Sequence, residues 1–461
     1  MQQPLHPFGS PLLVLNGGIC HRAVRYFTQL PSNCNESIGT PHAPHPQKRK
    51  GAGGGQPILK GREIYMPPWL RFARVPRMWV PARGGLILIW RKNKTIAMAP
   101  GKDSKHAMQS GRMMKSYVFL SPGVTSLETK PIPTPGPLEA VVKVRLTSIS
   151  ANDLNIARGV FPVTSGLTLG HEAVGVIETL GELVSEYETG QRVLVSATTS
   201  CGQCSPCLSG NWAHCRGILG GWRLGRVIDG AQAEYVRVPH AEVNLTPLPD
   251  SISNEDALLL PEAASTGFAA VERGAVELGD NVAVFGQGPV GLCATLGAKI
   301  RGAAQIIAID KFSSRLQLAS KFGATVGILN GPTVVKQILK LTRGTGVDVA
   351  IEAHGDQHTF ENAMKVIRPA GTVSCIGVFT SPVTLGEQSF DCGLGNHTVV
   401  NTLCPGGKAR MERLIRLVES KRIDLSPLVT HRLPFTEIAS AYEMLMNGRE
   451  DVVKIILEVA N

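Results

Sequence analysis

The sequence is 461 residues long, 43% hydrophobic and 18% charged, and this length allows two or three domains with substantial cores. Its net charge of +11 comes from residues 1–113, which hold 17 Lys and Arg and three acidic residues; residues 114–461 hold 30 basic and 33 acidic residues. The body of the chain therefore lacks the basic surface that nucleic-acid binding requires. No apolar run approaches the roughly 18 residues of a membrane span, so we expect neither a nucleic-acid nor a membrane partner.

Residues 1–113 form a basic segment in which no helical or strand period is sustained. Proline and glycine recur, as in 40–46 and 51–55. The composition is compatible with an organelle transit peptide. We favour a disordered extension, or an upstream translation that the mature protein lacks, because Met113 and Met114 look like a new start before a first strand. The ten cysteines are too few for a disulfide scaffold, so we expect a reducing, cytoplasmic location.

The sequence from 114 to 263 predicts a β-rich domain. Residues 139–146 alternate apolar and polar side chains, as a half-buried strand does. Residues 170–177 and 191–195 continue the strand pattern.

Four cysteines, Cys201, Cys204, Cys207 and Cys215, lie within a lobe at about 196–222. Their spacing is typical of a structural zinc site, in which four thiolates close a tetrahedron and stabilise a loop with little core of its own. Because protein ligands would fill all four positions, we expect this zinc to be structural. The alternative is four unliganded cysteines.

A glycine-rich turn at 286–291 predicts dinucleotide binding. It follows an apolar β-branched run, precedes a helical stretch at 292–300, and is followed by a strand at 306–309 that ends on an acid. Glycines there allow a tight turn, close approach of a pyrophosphate and close packing of helix on strand. The helix N-terminus offers free N–H groups to the phosphates. The residues predicted to bind the cofactor are Gly286, Gly288, Pro289, Val290, Gly291, Asp310, Lys311 and Arg315.

Asp310 lies 24 residues after Gly286, where a carboxylate accepts hydrogen bonds from the adenosine ribose and repels a 2′-phosphate. The sequence therefore predicts NAD in preference to NADP, although the adjacent Lys311 weakens strict selection. Residues 264–404 read as the dinucleotide-binding domain, with later strands at 347–351 and 371–377. Residues 405–461 read as a final segment with helices at 411–420 and 437–447 and a strand at 452–457.

The cofactor turn, the cysteine quartet and the run Gly170-His171-Glu172 together resemble the zinc-containing medium-chain alcohol dehydrogenase family, and secondary or broad-specificity members in particular. Further resembling stretches are 220–222, 229–236, 265–268 and 403–407. The resemblance covers about 114–461 and implies an α/β fold. In that fold a GroES-like β-rich catalytic domain is split by a Rossmann domain with a doubly wound parallel sheet, and the C-terminal segment completes it. It also implies a cleft active site and a homodimer or homotetramer.

The resemblance also implies a catalytic zinc. The family's ligating histidine matches His171, its later ligand matches Glu262, and its second-shell or alternate ligand matches Glu172. Asp153 matches the residue that orients the histidine. The early ligand cysteine is replaced by Ser150, and the residues that relay a proton are replaced by Asn152 and Asn155. A serine hydroxyl is a poor neutral ligand, and an amide does not titrate at neutral pH.

Three functions remain open at this point. The first is an NAD(P)-dependent dehydrogenase that interconverts an alcohol and a ketone or aldehyde, with zinc on His171, Glu262 and either Glu172 or Ser150. The second is a quinone or enoyl reductase on the same fold without catalytic zinc, acting on a conjugated substrate. The third is a nucleotide-binding protein with little catalysis. Taken alone, His171 could be a core histidine, and Glu262 could be an acid in the first turn of a helix.

Overall fold

The computed structural model describes residues 111–386, 389 and 393–460. The predicted basic extension lies outside these residues except for its last three. The first described strand begins at Met113, where the sequence predicts a strand. Within the described part of the chain, no helix is both long enough and apolar enough to cross a membrane.

The strands in chain order are β1 (Met113–Ser121), β2 (Val124–Pro131), β3 (Ala140–Ser148), β4 (Leu167–Thr168), β5 (Ala173–Leu180), β6 (Arg192–Val195), β7 (Tyr235–Val238), β8 (Leu245–Pro247), β9 (Asn281–Phe285), β10 (Gln305–Asp310), β11 (Val326–Leu329), β12 (Val347–Glu352), β13 (Ile367–Cys375), β14 (Thr398–Asn401), β15 (Val429–Pro434) and β16 (Lys454–Glu458). The α-helices are α1 (Ala151–Ala157), α2 (Ser205–Leu208), α3 (Ala241–Asn244), α4 (Asn254–Leu258), α5 (Ser265–Arg273), α6 (Pro289–Arg301), α7 (Ser313–Lys321), α8 (Val334–Leu341), α9 (Gln357–Val366), α10 (Lys408–Glu419) and α11 (Ile438–Met446). Single 3₁₀ turns lie at Trp212–His214, Ser426–Leu428 and Phe435–Glu437, and a π turn at Leu260–Ala264.

A seven-stranded sheet forms the GroES-like part of the fold. Its order is β15-β16-β3-β5-β6-β8, with β7 also paired to β3, and every pairing except β15 with β16 is antiparallel. Val142, Val144 and Ile177 are buried on one face of this sheet. Burying each such side chain stabilises the fold by roughly 1.5–3 kcal/mol. A smaller antiparallel sheet has the strand order β2-β1-β4.

The dinucleotide-binding part is a six-stranded sheet of order β11-β10-β9-β12-β13-β14, parallel at every pairing. From β9 the chain adds β10 and β11 on one side, and then returns to add β12, β13 and β14 on the other side. The order of strands therefore switches between β9 and β12. In open α/β sheets, ligands bind in the crevice at the carboxyl ends of the two strands that flank such a switch. β9 is apolar and buried from Val282 to Phe285, as expected for a parallel strand covered on both faces. The predicted Rossmann architecture is confirmed.

The chain returns to the first sheet after the parallel sheet is complete. β16 pairs with β3, so that Leu457 lies opposite Thr147, more than 300 residues apart in sequence. The GroES-like sheet is therefore split by the Rossmann sheet, as the sequence predicts. The predicted helices at 411–420 and 437–447 are observed as α10 and α11, with slightly shifted ends.

One helical run, from Asn254 to Arg273, corrects the sequence interpretation of Glu262. α4, the π turn and α5 follow one another without an intervening loop, and the expected domain boundary at 263/264 falls inside this run. Glu262 therefore lies in mid-helix and not in a first turn. Pro261 lacks an N–H for the helical ladder, and a π turn accommodates the lost hydrogen bond.

Candidate active site

A cavity of about 410 Å³ lies between the two sheets. Asn152, His171 and Trp222 line it from the GroES-like part, and Val290 and Ile376 line it from the Rossmann part. Glu262, on the helical run between them, faces the same space. The structure thus brings the two best sequence candidates, His171 and Glu262, together with the start of the cofactor-binding helix.

His171 is held by a buried carboxylate. Its Nδ1 lies 3.2 Å from Oδ1 of Asp153, and both side chains are almost completely buried. Burial by itself lowers the pKa of His171, but the negative charge of Asp153 and its hydrogen bond raise it to about 9, and Glu262 and Glu172 add to this rise. Because Asp153 binds Nδ1, the other ring nitrogen, Nε2, is the one left to meet a metal or substrate.

Glu172 is paired with a lysine that the sequence interpretation missed. Nζ of Lys454 lies 2.5 Å from Oε2 of Glu172, and both side chains are about 1% exposed. Ser148 donates a hydrogen bond of 2.7 Å to the same oxygen. Burial lowers the pKa of Lys454, but Glu172 and Glu262 raise it above its usual value, so the ammonium stays charged. A lone lysine inside the apolar run 452–457 was the signal that could have found it, because charged residues are fully buried only when paired.

Glu262 is the acidic group that faces the cavity. Burial raises its pKa to about 7, and the charge of Glu172 adds to this effect while Lys454 and His171 oppose it. A π turn positions Glu262, and such turns occur often at functional sites because they redirect side chains. The carboxyl group can accept a hydrogen bond or bind a cation when ionised, and can donate a hydrogen bond when protonated.

Ser150 performs a local structural role. Its Oγ accepts hydrogen bonds from the backbone N–H groups of Asn152 (3.1 Å) and Asp153 (3.4 Å), and Asp153 accepts one from the Ser150 N–H in return. This reciprocal pair is a capping box at the start of α1. Ser150 is not among the residues that line the cavity. These contacts give the Ser150 hydroxyl a capping role at the helix N-terminus, and a role in catalysis or zinc binding stays a prediction.

A chain of buried hydrogen bonds leads from α11 to Asp153, the carboxylate that lies beside His171. Tyr442 donates to Oε1 of Gln232 (2.8 Å), and Nε2 of Gln232 donates to Oδ2 of Asp153 (3.3 Å) and to the Ser148 carbonyl (3.1 Å). Burial raises the pKa of Tyr442 well above its ordinary value, so the phenol remains a donor. The sequence interpretation missed both residues, since nothing in the local pattern connects position 442 with 153.

The glycine-rich turn has the geometry predicted for pyrophosphate binding. Gly286 has φ of +91°, a conformation that other residues rarely adopt. A Cβ on Gly291 would lie 1.8 Å from the Gly286 carbonyl oxygen, whereas one on Gly288 would meet nothing closer than 4.0 Å. The backbone at Gly288, which caps α6 ahead of Pro289, is therefore open to a ligand.

Asp310 ends β10 and lines a second cavity of about 210 Å³ with Gly286, Lys311 and Arg315. Its carboxylate accepts hydrogen bonds from the N–H groups of Gln287 (2.7 Å) and Phe312 (3.0 Å). The Arg315 guanidinium bonds to the Val452 carbonyl (3.1 Å) and lies over the Phe312 ring. The structure thus groups the predicted ribose-binding residues, and Arg315 is engaged with protein atoms.

The four predicted zinc cysteines converge. The Sγ atoms of Cys201, Cys204, Cys207 and Cys215 all lie within 4.8 Å of one another. Backbone N–H groups of Arg216 and Cys207 lower the pKa of Cys204 to about 6, whereas burial raises the pKa of Cys207 to about 12. A bound divalent cation resolves this conflict, because it allows all four thiols to ionise. The quartet fits a structural zinc.

The residues around His171 fit a catalytic zinc less well. In the described part of the chain, the cysteine quartet is the one group of three or more His, Cys, Asp or Glu side chains whose ligand atoms close to within 4.8 Å. Glu172 is neutralised by Lys454, and the Ser150 hydroxyl caps α1. Of the ligand positions that the family resemblance implies, His171 and Glu262 remain, and two donors are fewer than the three protein ligands usual in catalytic zinc sites.

Comparisons with known proteins agree with this geometry. Residues 136–250 match the model of the alcohol dehydrogenase GroES-like domain, and residues 289–420 match that of the zinc-binding dehydrogenase. An alcohol dehydrogenase from Cupriavidus necator is 46% identical over 75% of this chain and 99% of its own length. The NADP-dependent isopropanol dehydrogenase of Thermoanaerobacter brockii is 37% identical over 75% of this chain and all of its own length. The apo structure of zinc-dependent alcohol dehydrogenase 2 from Streptococcus pneumonia has a TM-score of 0.71 at 38% identity, covering 76% of this chain and 99% of that one.

A split GroES-like sheet, a Rossmann sheet and a shared cavity define a two-domain oxidoreductase that uses a nicotinamide nucleotide. The chain belongs to the zinc-type medium-chain alcohol dehydrogenase family. Its substrates are therefore small alcohols and carbonyl compounds, and its chemistry is hydride transfer.

Proposed function

We propose that hydride transfer between a small alcohol or its carbonyl partner and the nicotinamide takes place in the cavity between the sheets. The observation that carries this proposal is that His171 and Glu262 line the same 410 Å³ space as Val290, the second residue of the cofactor-binding helix. A substrate oxygen near His171 then lies close to a nicotinamide that enters from the Rossmann side. On oxidation, the C–H electron pair leaves as hydride and the hydroxyl proton passes to solvent.

Unpaired polar groups support this use of the cavity. In the described part of the chain, Oγ1 of Thr198, Nε1 of Trp222 and Oγ1 of Thr402 are buried without a hydrogen-bond partner, and all three residues line the cavity. Buried polar atoms rarely lack a partner, so each such group needs an explanation. We assign them to contacts with the substrate and with the polar edge of the nicotinamide.

The roles of the surrounding residues follow from their contacts. His171 Nε2 faces the substrate oxygen, Asp153 orients the imidazole, and Glu262 lines the same cavity. Lys454 forms a buried ion pair with Glu172 and so neutralises its charge. We assign one zinc, with a structural role, to Cys201, Cys204, Cys207 and Cys215.

We propose NAD as the preferred cofactor, on the strength of Asp310. Its carboxylate lines the cavity at the end of β10, where it would bind a ribose diol and repel a 2′-phosphate. Arg315, which lines the same cavity, donates one hydrogen bond from Nη2 to the Val452 carbonyl. The NADP-dependent relatives argue for the other nucleotide, so the ratio of kcat/KM values for NAD and NADP is the measurement that decides.

A second candidate is a reductase of conjugated acceptors without catalytic zinc. The replacement of the relay residues by Asn152 and Asn155, both of which line the cavity, favours it, as does the capping role of Ser150. A quinone or enone needs positioning against the nucleotide more than it needs a metal.

The test combines turnover with metal counting. We expect NAD-linked turnover of secondary alcohols and ketones, and loss of that turnover in His171→Gln. His431→Gln, a change at a histidine on β15 outside the cavity, serves as the control. Turnover of enones or quinones alone, with one zinc per chain, would favour the second candidate. Cofactor binding without turnover of any of these compounds would contradict both.

The domain boundaries, the subunit count and the cellular location are also proposed. We propose domain boundaries at 114–263, 264–404 and 405–461, and a homodimer or homotetramer as the family resemblance implies. A cytoplasmic location is supported by the cysteines, since the described ones are all free thiols. Light scattering on the purified protein would determine the subunit count.

A further inference from the structure

A third cavity, of about 700 Å³, adjoins the proposed active site. The two cavities share His214, Trp222 and Leu403 as lining residues. The lining of the outer cavity includes His214, Arg216, Arg223 and Arg226, and none of its described lining residues is acidic. A wall with one sign of charge attracts ligands of the opposite charge.

Arg226 is held in place by aromatic rings. Its guanidinium carbon lies 4.6 Å from the Trp222 ring centre and 5.4 Å from the Phe161 ring centre. Among the described residues, its side chain makes neither an ion pair nor a hydrogen bond. Stacking uses the face of a guanidinium and leaves its in-plane N–H donors available. Arg226 is therefore fixed in position and still able to bind an anion.

The loop that carries Arg226 packs directly on the backbone that carries His171. The N–H groups of Arg226 and Val227 both donate to the Arg223 carbonyl, at 3.0 and 2.7 Å. A Cβ on Gly225 would lie 2.5 Å from the Gly170 carbonyl oxygen, so only glycine permits this contact. The position of Arg226 relative to His171 is consequently set by backbone packing.

Trp222 connects the two residues and limits their separation. Its ring centre is 6.1 Å from that of His171 and 4.6 Å from the Arg226 guanidinium carbon. The guanidinium therefore lies no farther from the imidazole than these two distances combined. A short linear molecule spans that distance, with its reacting oxygen at His171 and its far end at Arg226.

We propose that Arg226, assisted by Arg223, binds a carboxylate at the far end of the substrate, so that the preferred substrate is a hydroxy acid or keto acid. This inference rests on the proposed function and specifies the substrate class for the same site. Arg223 is oriented by a hydrogen bond from its Nε to the Gly220 carbonyl (2.8 Å), and its terminal nitrogens have no hydrogen-bond partner among the described residues. Guanidinium groups bind carboxylates with two parallel hydrogen bonds, which adds geometric specificity.

The test compares two alcohols that differ only in the terminal group, 2-heptanol and 6-hydroxyheptanoate, with NAD as the oxidant. We expect kcat/KM to be about 10- to 100-fold higher for the carboxylate, the range that a charge-assisted hydrogen bond supplies. Arg226→Gln should reduce this preference by at least about 10-fold. Arg226→Lys, which keeps the charge but loses the planar fork, should retain part of it.

Arg158→Gln is the matched control, because Arg158 is an exposed arginine at the end of α1 that lines neither cavity. It should leave the preference unchanged. Because the interaction is ionic and partly exposed, added salt should reduce the preference in the unaltered protein. Turnover of 2-heptanol without preference for the carboxylate, or a preference that survives Arg226→Gln, would overturn the inference. No turnover of either alcohol would instead count against the proposed function.

Discussion

Ser150 shows how one substitution changes what a site can hold. A cysteine at this position would offer a thiolate to zinc, whereas the serine hydroxyl is already an acceptor for two backbone N–H groups of α1. Serine is among the best helix caps, and a cap contributes about 1 kcal/mol. Ser150 occupies the position of a family zinc ligand but caps α1 instead. Of the family's ligand positions, His171 and Glu262 are left as strong metal donors at the cavity.

We predict that Ser150→Cys tightens zinc binding at the cavity by at least about 10-fold, because it adds a thiolate to the set of donors. The same change should lower the free energy of unfolding by about 1 kcal/mol through the weaker cap. Metal content after dialysis against a chelator measures the first effect, and urea unfolding the second. A metal content equal to that of the unaltered protein would show that position 150 cannot reach the site.

The proposed preference for NAD depends on the charge of a single residue, Asp310. We predict that Asp310→Gly shifts the ratio of kcat/KM values for NADP and NAD toward NADP by at least about 10-fold, since it removes repulsion of the 2′-phosphate beside Lys311. Asp424→Asn, the same loss of charge at a site outside the cofactor cavity, is the control. A thermal melt must show that the variant remains folded, because Asp310 also accepts a hydrogen bond from the Gln287 N–H. An unchanged ratio in folded protein would contradict the assignment.

At the scale of secondary-structure elements, hydrogen bonds to one carboxylate hold neighbouring strands of the parallel sheet in position. Asp348 on β12 accepts hydrogen bonds from the Asn281 N–H of β9 (2.8 Å) and from Arg368 of β13 (2.7 Å). Burial raises the pKa of Asp348, but the hydrogen bonds from Arg368 and Asn281 outweigh this effect and hold the pKa below its usual value. One carboxylate therefore ties three parallel strands at their amino ends, opposite the edge that binds the cofactor.

We predict that Asp348→Asn lowers the free energy of unfolding by about 1 kcal/mol at pH 7, a modest value because Arg368 is partly exposed and screened by water. The folded-state pKa is depressed, so the stabilisation is present above the unfolded-state value of about 3.9 and is lost as pH falls through the folded-state value. Urea unfolding at pH 7, 5, 4 and 3.5 should show a constant difference that then shrinks. Asp250→Asn, at an exposed residue, should show no difference. A difference independent of pH would mean that the carboxylate charge is not involved.

At the scale of the whole molecule, the C-terminal segment contributes buried side chains to the proposed active site. β16 supplies Lys454 to Glu172, and α11 supplies Tyr442 to Gln232, which in turn holds Asp153. Residues near the end of the chain thus position side chains near the beginning of the GroES-like domain. This arrangement gives a physical reason for a split domain, since the last strand both closes the sheet and supports the site.

We predict that Tyr442→Phe lowers kcat/KM about 5- to 10-fold, because Gln232 loses a buried partner and Asp153 is held less firmly. Tyr187→Phe is a matched control, since the Tyr187 hydroxyl is also buried and bonds to the Leu245 carbonyl (2.7 Å). Both variants should lose similar stability in thermal melts, but Tyr187→Phe should keep full kcat/KM. Equal losses of activity in the two variants would show that the chain from Tyr442 serves stability alone.

The sequence by itself determined the parallel sheet, the cofactor turn and the cysteine quartet, because each depends on residues that are near one another in the chain. It also identified His171 and Glu262, through a family pattern. Only the tertiary structure decided that Ser150 is a cap, that Glu262 lies in a π turn, and that Lys454, Gln232 and Arg226 surround the site. The contacts of Lys454, Gln232 and Arg226 join residues that lie tens to hundreds of positions apart, and burial and charge pairing between such residues leave no local periodicity from which they could be predicted. The Ser150 cap and the π turn are local, but the family pattern assigned Ser150 and Glu262 to ligand positions instead.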